Sequence, residues 1–153
     1  MERIKKILIA LAVSVIIVTA FIGNNQRVSG KEIMKNMMMD FYEEVCTVRF
    51  RKTTEDTTIV VFEDRILTER ELEHFFYYFE ESEYKEIGSS PFSIETDIRY
   101  YLIFTDKLGR ERIRMKFYGT DTLVLDCMDG KTEPKHKRYL IKKTDLESFF
   151  EGE

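Results

Sequence analysis

The sequence is poor in the residues that most often announce an activity. Its 153 residues include two cysteines, two histidines, two prolines and seven glycines. Two cysteines exclude a disulfide-dense mini-scaffold and a zinc-ribbon framework. So little proline and glycine, beside 43% hydrophobic and 13% aromatic residues, excludes a collagenous, low-complexity or disordered chain. Gly88-Ser-Ser-Pro lacks the second glycine of a G-x-S-x-G nucleophile elbow. No glycine-rich phosphate loop is present. The many carboxylates do not form the isolated pair in apolar surroundings that glycosidase chemistry wants. No catalytic residue is assigned, and the chain reads as a non-enzyme.

What the sequence does have is one long uncharged run. Arg3, Lys5 and Lys6 precede Ile7 to Ile22, where Ser14 and Thr19 are the only polar side chains. At about 1.5 Å per residue a helix of this length reaches about 25 Å, the short limit for crossing a bilayer and a generous length for a signal peptide. The basic flank keeps that end in the cytoplasm and sends the rest outside. Residues 1–23 are read as a signal anchor or signal peptide, with membrane attachment through residues 7–23. If Val18-Thr19-Ala20 is cleaved, the remainder is secreted. Residues 1–23 carry Glu2 against Arg3, Lys5 and Lys6, so removing their net +2 from the chain's −4 leaves −6 on the exported part. That sign speaks against general nucleic-acid binding.

Residues 24–42 read as a linker followed by an amphipathic, methionine-rich helix. Ser29 and Glu32 form a capping box, and Ile33, Met37 and Phe41 recur at fours. Residues 43–153 read as a single α+β domain. Within it, Glu43 to Lys52 and Thr57 to Phe62 have strand character, the first through two-residue alternation. A second capping box, Thr68 with Glu71, opens a helix with Leu72, Phe75, Phe76 and Phe79 on one face. Four further alternating runs follow, centred on Leu102, Met115, Leu125 and Tyr139, with turns at Asp106–Gly109, Gly119–Asp121 and Asp129-Gly130. Leu146, Phe149 and Phe150 mark a short closing helix. The expected fold is a five- or six-stranded antiparallel sheet with helices packed on one face, preceded by an N-terminal hydrophobic membrane helix.

Neither histidine makes a metal site. Glu71 and His74 form an E-x-x-H pair, but di-iron bundles need that pair twice, and the echoing Asp145–Phe150 segment carries Ser148 in the histidine's place. His136 lies among Lys135, Lys137 and Arg138, which repel a divalent cation. No metal and no cofactor is expected. Cys46 and Cys127 both fall on the apolar phase of their strands. Two readings stand for them: small buried hydrophobes, or one disulfide, which export permits.

Charge is segregated. Residues 63–86 carry nine acidic and three basic side chains, and residues 131–143 carry six basic side chains against Glu133. Arg112, Arg114 and Lys116 share one face of their strand, with Arg99 and Tyr101 in the same phase on the strand before. Such a face suits an anionic partner: lipid head groups, a cell-wall polymer or an acidic envelope protein. The alternative is a solvated face whose arginines pair with cross-strand carboxylates such as Asp126. Tyr77, among the five consecutive rings of residues 75–79, points away from the apolar stripe and is a second candidate contact.

In layout, a MERIKKILIALAVSVIIVTAFIG start followed by one small lysine- and glutamate-rich domain resembles the small exported or membrane-anchored proteins of Gram-positive bacteria. The resemblance implies a place outside the cytoplasm and assigns no residue a role. The expected function is a membrane-tethered interaction domain. The alternatives are an envelope enzyme or enzyme-inhibitor module, and a structural accessory subunit of a membrane complex.

Overall fold

The computed structural model describes residues 26–55, 58–88, 96–129 and 133–152. In chain order the elements are β1 (Arg27–Ser29), α1 (Gly30–Ile33), a π-turn (Met34–Met38), α2 (Met39–Tyr42), β2 (Val45–Glu55), β3 (Ile59–Ile66), α3 (Glu69–Glu81), β4 (Glu83–Glu86), β5 (Ile98–Asp106), β6 (Glu111–Tyr118), β7 (Thr122–Cys127), β8 (Lys135–Lys143) and α4 (Leu146–Glu151). All eight strands join one antiparallel sheet in the order β1-β4-β8-β7-β6-β5-β2-β3.

The sheet is therefore larger than the five or six strands expected. The two additional strands are β1 and β4, three and four residues long. A segment reading Glu-Tyr-Lys-Glu has no strand signal of its own. It is held by pairing with β8 on one side and β1 on the other, and by burial of Tyr84. The expected membrane helix lies outside the described residues. Among those described, no helix is long and apolar enough to cross a membrane. Gly130 of the expected Asp129-Gly130 turn is also outside them.

Local chemistry sets the helix starts. Ser29 accepts from the Glu32 amide while Glu32 accepts from Ser29, and Thr68 and Glu71 do the same at α3. Between α1 and α2 the helix widens through the π-turn, which inserts a residue into the four-residue spacing. Met37 and Met38 are both buried as a result. Within the segment expected to be a linker and an amphipathic methionine-rich helix, residues 27–29 form an edge strand, and Ile33, Met37 and Met38 join the core.

That core lies between the helices and one face of the sheet. Phe50 of β2, Tyr100, Leu102 and Phe104 of β5, Ile113, Met115 and Phe117 of β6, and Leu123 and Leu125 of β7 meet Phe75 and Phe79 of α3 and Leu146 and Phe150 of α4. Aromatic contact is dense. Phe150 stacks on Tyr100 with ring centroids 4.1 Å apart, and Phe75 meets Phe149 at 5.3 Å. Among the described residues no helix packs on the other face of the sheet, although Thr53, Arg99 and Thr122 on that face are buried.

Both cysteines are free thiols. Cys46 sits at a bulge between Val45 and Thr47 that turns it outward, whereas Cys127 is buried. Strands β5 and β6 separate β2 from β7, and three steps of about 4.8 Å far exceed the separation a disulfide spans. Burial pushes the Cys127 thiol up to about 12. Titration of the native protein with a chromogenic disulfide at pH 8 is expected to modify Cys46 alone, with Cys127 reacting only after denaturation.

The open face of the sheet as a candidate binding surface

Strand alternation decides what the face away from the described helices carries, and register decides how it is arranged. Three rows run across the strands from β3 to β8. The first is Ile66, Arg49, Ile103, Arg114, Asp126 and His136. The second is Asp64, Arg51, Tyr101, Lys116, Val124 and Arg138. The third is Val61, Thr53, Arg99, Tyr118, Thr122 and Leu140. Six basic side chains thus face two acidic ones in these rows. The structure brings the expected Arg99, Tyr101, Arg114 and Lys116 together and adds Arg49, Arg51 and Arg138. Arg49 and Arg51 already stand in the polar phase of β2 in the sequence. What was missing was the pairing of β2 with β5, a contact between segments some fifty residues apart that no local pattern announces.

The ion pairs on this face are partial. Asp64 alone serves both Arg49 (3.6 Å) and Arg51 (2.9 Å). Arg114 pairs with Glu111 rather than with Asp126, which instead meets His136 Nδ1 at 2.6 Å. The side chains of Arg49, Arg51 and Arg114 keep 50%, 36% and 41% of their surface exposed. Lys116 lies over two rings, 4.9 Å from the centroid of Tyr118 and 5.3 Å from that of Tyr101. Burial alone would lower its pKa, but hydrogen bonding and charge attraction from Tyr101 and Tyr118 outweigh that and raise it. Arg99 is buried, 4.4 Å over the Tyr118 ring, and donates to the carbonyls of Thr96 and Ile98. It serves as a brace beneath the face rather than a group on it. At the β3 end, Arg51, Thr53, Ile59, Val61, Tyr101 and Ile103 line a shallow depression of about 260 Å³.

Arg112, expected with Arg114 and Lys116, is not part of this surface. It is buried, and three guanidinium nitrogens are engaged. Nε donates to Asp106 (3.2 Å), Nη1 to the Asp129 carbonyl (2.8 Å) and Nη2 to Glu44. A register irregularity between Phe104 and Thr105 accompanies this arrangement. Burial pushes the Asp106 carboxyl up, but hydrogen bonds from the Arg110 and Leu108 amides and from the Arg110 side chain outweigh it and hold the pKa low. Arg112 ties the start of β2 to two hairpins. Arg112→Ala is expected to cost about 2 kcal/mol in urea unfolding, from lost charge-assisted hydrogen bonds and a stranded carboxylate.

Tyr77 is elsewhere. It is 65% exposed on the solvent side of α3, edge-on to Tyr78, in the helix layer on the opposite side of the sheet. The structure does not join it to the basic rows. His74 is exposed and rests against the Tyr78 ring at 4.8 Å. Its partner in sequence, Glu71, is committed to the capping box and to Arg65. Among the described residues no three His, Cys, Asp or Glu side chains come close enough to hold a metal ion. No family model, curated protein or solved structure matches this chain.

Proposed function

We propose that this chain is a binding module placed outside the cytoplasm, tethered at the membrane through the apolar run of residues 7–23, and that its open sheet face holds a polyanion. One observation carries the reading: five basic side chains, Arg49, Arg51, Arg114, Lys116 and Arg138, lie in two adjacent rows on the sheet face that no described helix covers. Their spacing suggests the shape of the partner. In the middle row Arg51, Lys116 and Arg138 stand on every second strand, about 10 Å apart. A single small anion contacts one of these positions. A chain or array of phosphates or carboxylates contacts several, and gains from each. The rings of Tyr101 and Tyr118 hold Lys116 in place between them, which lowers the ordering cost of binding.

Lipid head groups and a cell-wall polymer offer the same anionic chemistry, and the test separates them. The full chain in neutral detergent micelles is titrated with fluorescent polyphosphate. Reconstituted into zwitterionic vesicles, it is then mixed with separate vesicles of anionic or neutral lipid. Polyphosphate binding that weakens steeply with salt is expected. Arg114→Gln with Lys116→Gln should weaken it about thirtyfold, at about 1 kcal/mol per cation, with unfolding unchanged. A preference for anionic vesicles over polyphosphate assigns the partner to lipid. Affinity that ignores both salt and the double substitution contradicts the proposal.

A further inference from the structure

The two edges of the sheet are built differently. At one end β1 is three residues long and carries Arg27, which pairs with Glu83 at 2.8 Å. Short, charged edges resist pairing with other chains. At the other end β3 is eight residues long, and among the described residues it pairs only with β2. Ile59, Val60, Val61 and Phe62 are consecutive, with no charge or proline among them, and are 69%, 45%, 52% and 62% exposed. An unprotected edge with apolar side chains on both faces is a template for another strand.

We propose that β3 pairs antiparallel with β3 of a second copy, about a two-fold axis at Val60. The sequence of the strand selects both partner and register. A two-fold axis normal to the sheet puts open-face residues opposite open-face residues, so one residue must stand opposite its own copy. Centred on Val60, Val60 meets Val60, Ile59 meets Val61 twice, and Thr58 meets Phe62. Every exposed apolar side chain of the stretch then finds an uncharged neighbour across the pair. Centred on Asp64, two like carboxylates stand opposite each other. The register irregularity between Lys52 and Thr53 leaves Phe62 as an extra residue. Centring on Val61 or Phe62 therefore puts Ile59 opposite Glu63, or Val60 opposite Asp64, on mismatched faces. The Val60 register ends at the irregularity, with Phe62 as its last paired residue, and does not cross it. It also keeps the open faces of both copies on one side of a continuous sheet. Pairing through this edge does not depend on polyanion binding by the sheet face.

The test uses the full chain in neutral detergent micelles, with Cys46→Ser removing the exposed thiol. Val60→Cys is expected to form a disulfide-linked dimer on mild oxidation, since opposed residues of an antiparallel pair have Cα separations of about 4.5–5.5 Å. Ile66→Cys, six residues from the axis, places its two thiols about 40 Å apart and should not crosslink. Independently, light scattering should give a dimer for the unmodified chain and a monomer for Val60→Lys. Val60 is exposed, so circular dichroism should show both Val60 variants folded. A monomeric unmodified chain, a Val60→Lys chain that stays dimeric, or equal crosslinking at positions 60 and 66 overturns the proposal. The Val60→Lys comparison also separates the edge from association through residues 7–23, which both chains share.

Discussion

Phe75→Ala is expected to lower the unfolding free energy by about 4 kcal/mol, near the upper end for truncation of a buried ring. The reason is position. Phe75 is fully buried on α3, and its ring meets those of Phe79 at 5.6 Å, Phe149 at 5.3 Å and Phe117 at 6.2 Å. It is thus the point where α3, α4 and β6 come together. Removing the ring forfeits its burial and leaves a cavity walled by other rings on three elements, which cannot all move inward. Phe76, one residue on and only half-buried, is the comparison. Phe76→Ala should cost about half as much, because part of its surface is already in water. Urea unfolding followed by circular dichroism measures both. Equal costs at the two positions would contradict the account of α3 as a helix with one packed face.

Gly30→Ala is expected to destabilise by about 3 kcal/mol, at the upper end of overpacking costs. Here two effects oppose each other, so the sign alone is informative. Gly30 is the first residue of α1, with no left-handed backbone to protect, and helix propensity by itself favours alanine over glycine by about 1 kcal/mol. Packing says the reverse. A Cβ at this position would lie 1.7 Å from the Phe79 carbonyl oxygen and 2.5 Å from its carbon, both backbone atoms. The Gly30 amide meanwhile donates to the Ser82 carbonyl at 3.1 Å, holding the start of α1 against the end of α3. The contact cannot open without releasing β1 from β4, which pair immediately beside it. Lys31→Ala, exposed on the same turn, is the control and should change little. A stabilised Gly30→Ala protein would mean that propensity wins and that this close approach does not govern the fold.

The contrast between these sites and the rest of the chain shows which features local sequence carries. Both capping boxes, the apolar face of α3 and the alternation of β5, β6 and β7 are written within a few residues, and the structure follows them. Features that depend on distant partners are not. Tyr84 defines β4 only because β8 and β1 lie beside it. Gly30 is one of seven glycines until the end of α3 is placed against it. Irregularities account for two further departures. Alternation alone puts Cys46 inside and Arg112 on the open face. The register shifts at Val45/Thr47 and at Phe104/Thr105 turn the thiol outward and accompany the capture of the guanidinium by Asp106 and Glu44. In the candidate surface, the strand phase of Arg114 and Lys116 was legible. The neighbourhood of Arg49 and Arg51 was not, because it needs the β2–β5 pairing.

The central claim is that the rows on the open face, rather than the basic segment of residues 135–143 taken alone, meet the polyanion. Hydrogen exchange read by mass spectrometry tests it most directly, on the full chain in neutral micelles with and without polyphosphate. The account predicts added protection in β2, β5 and β6 around Arg51, Tyr101 and Lys116, reaching β8 at Arg138 and leaving α3 unchanged. Protection confined to residues 135–143, or appearing on α3 around Tyr77, would contradict it.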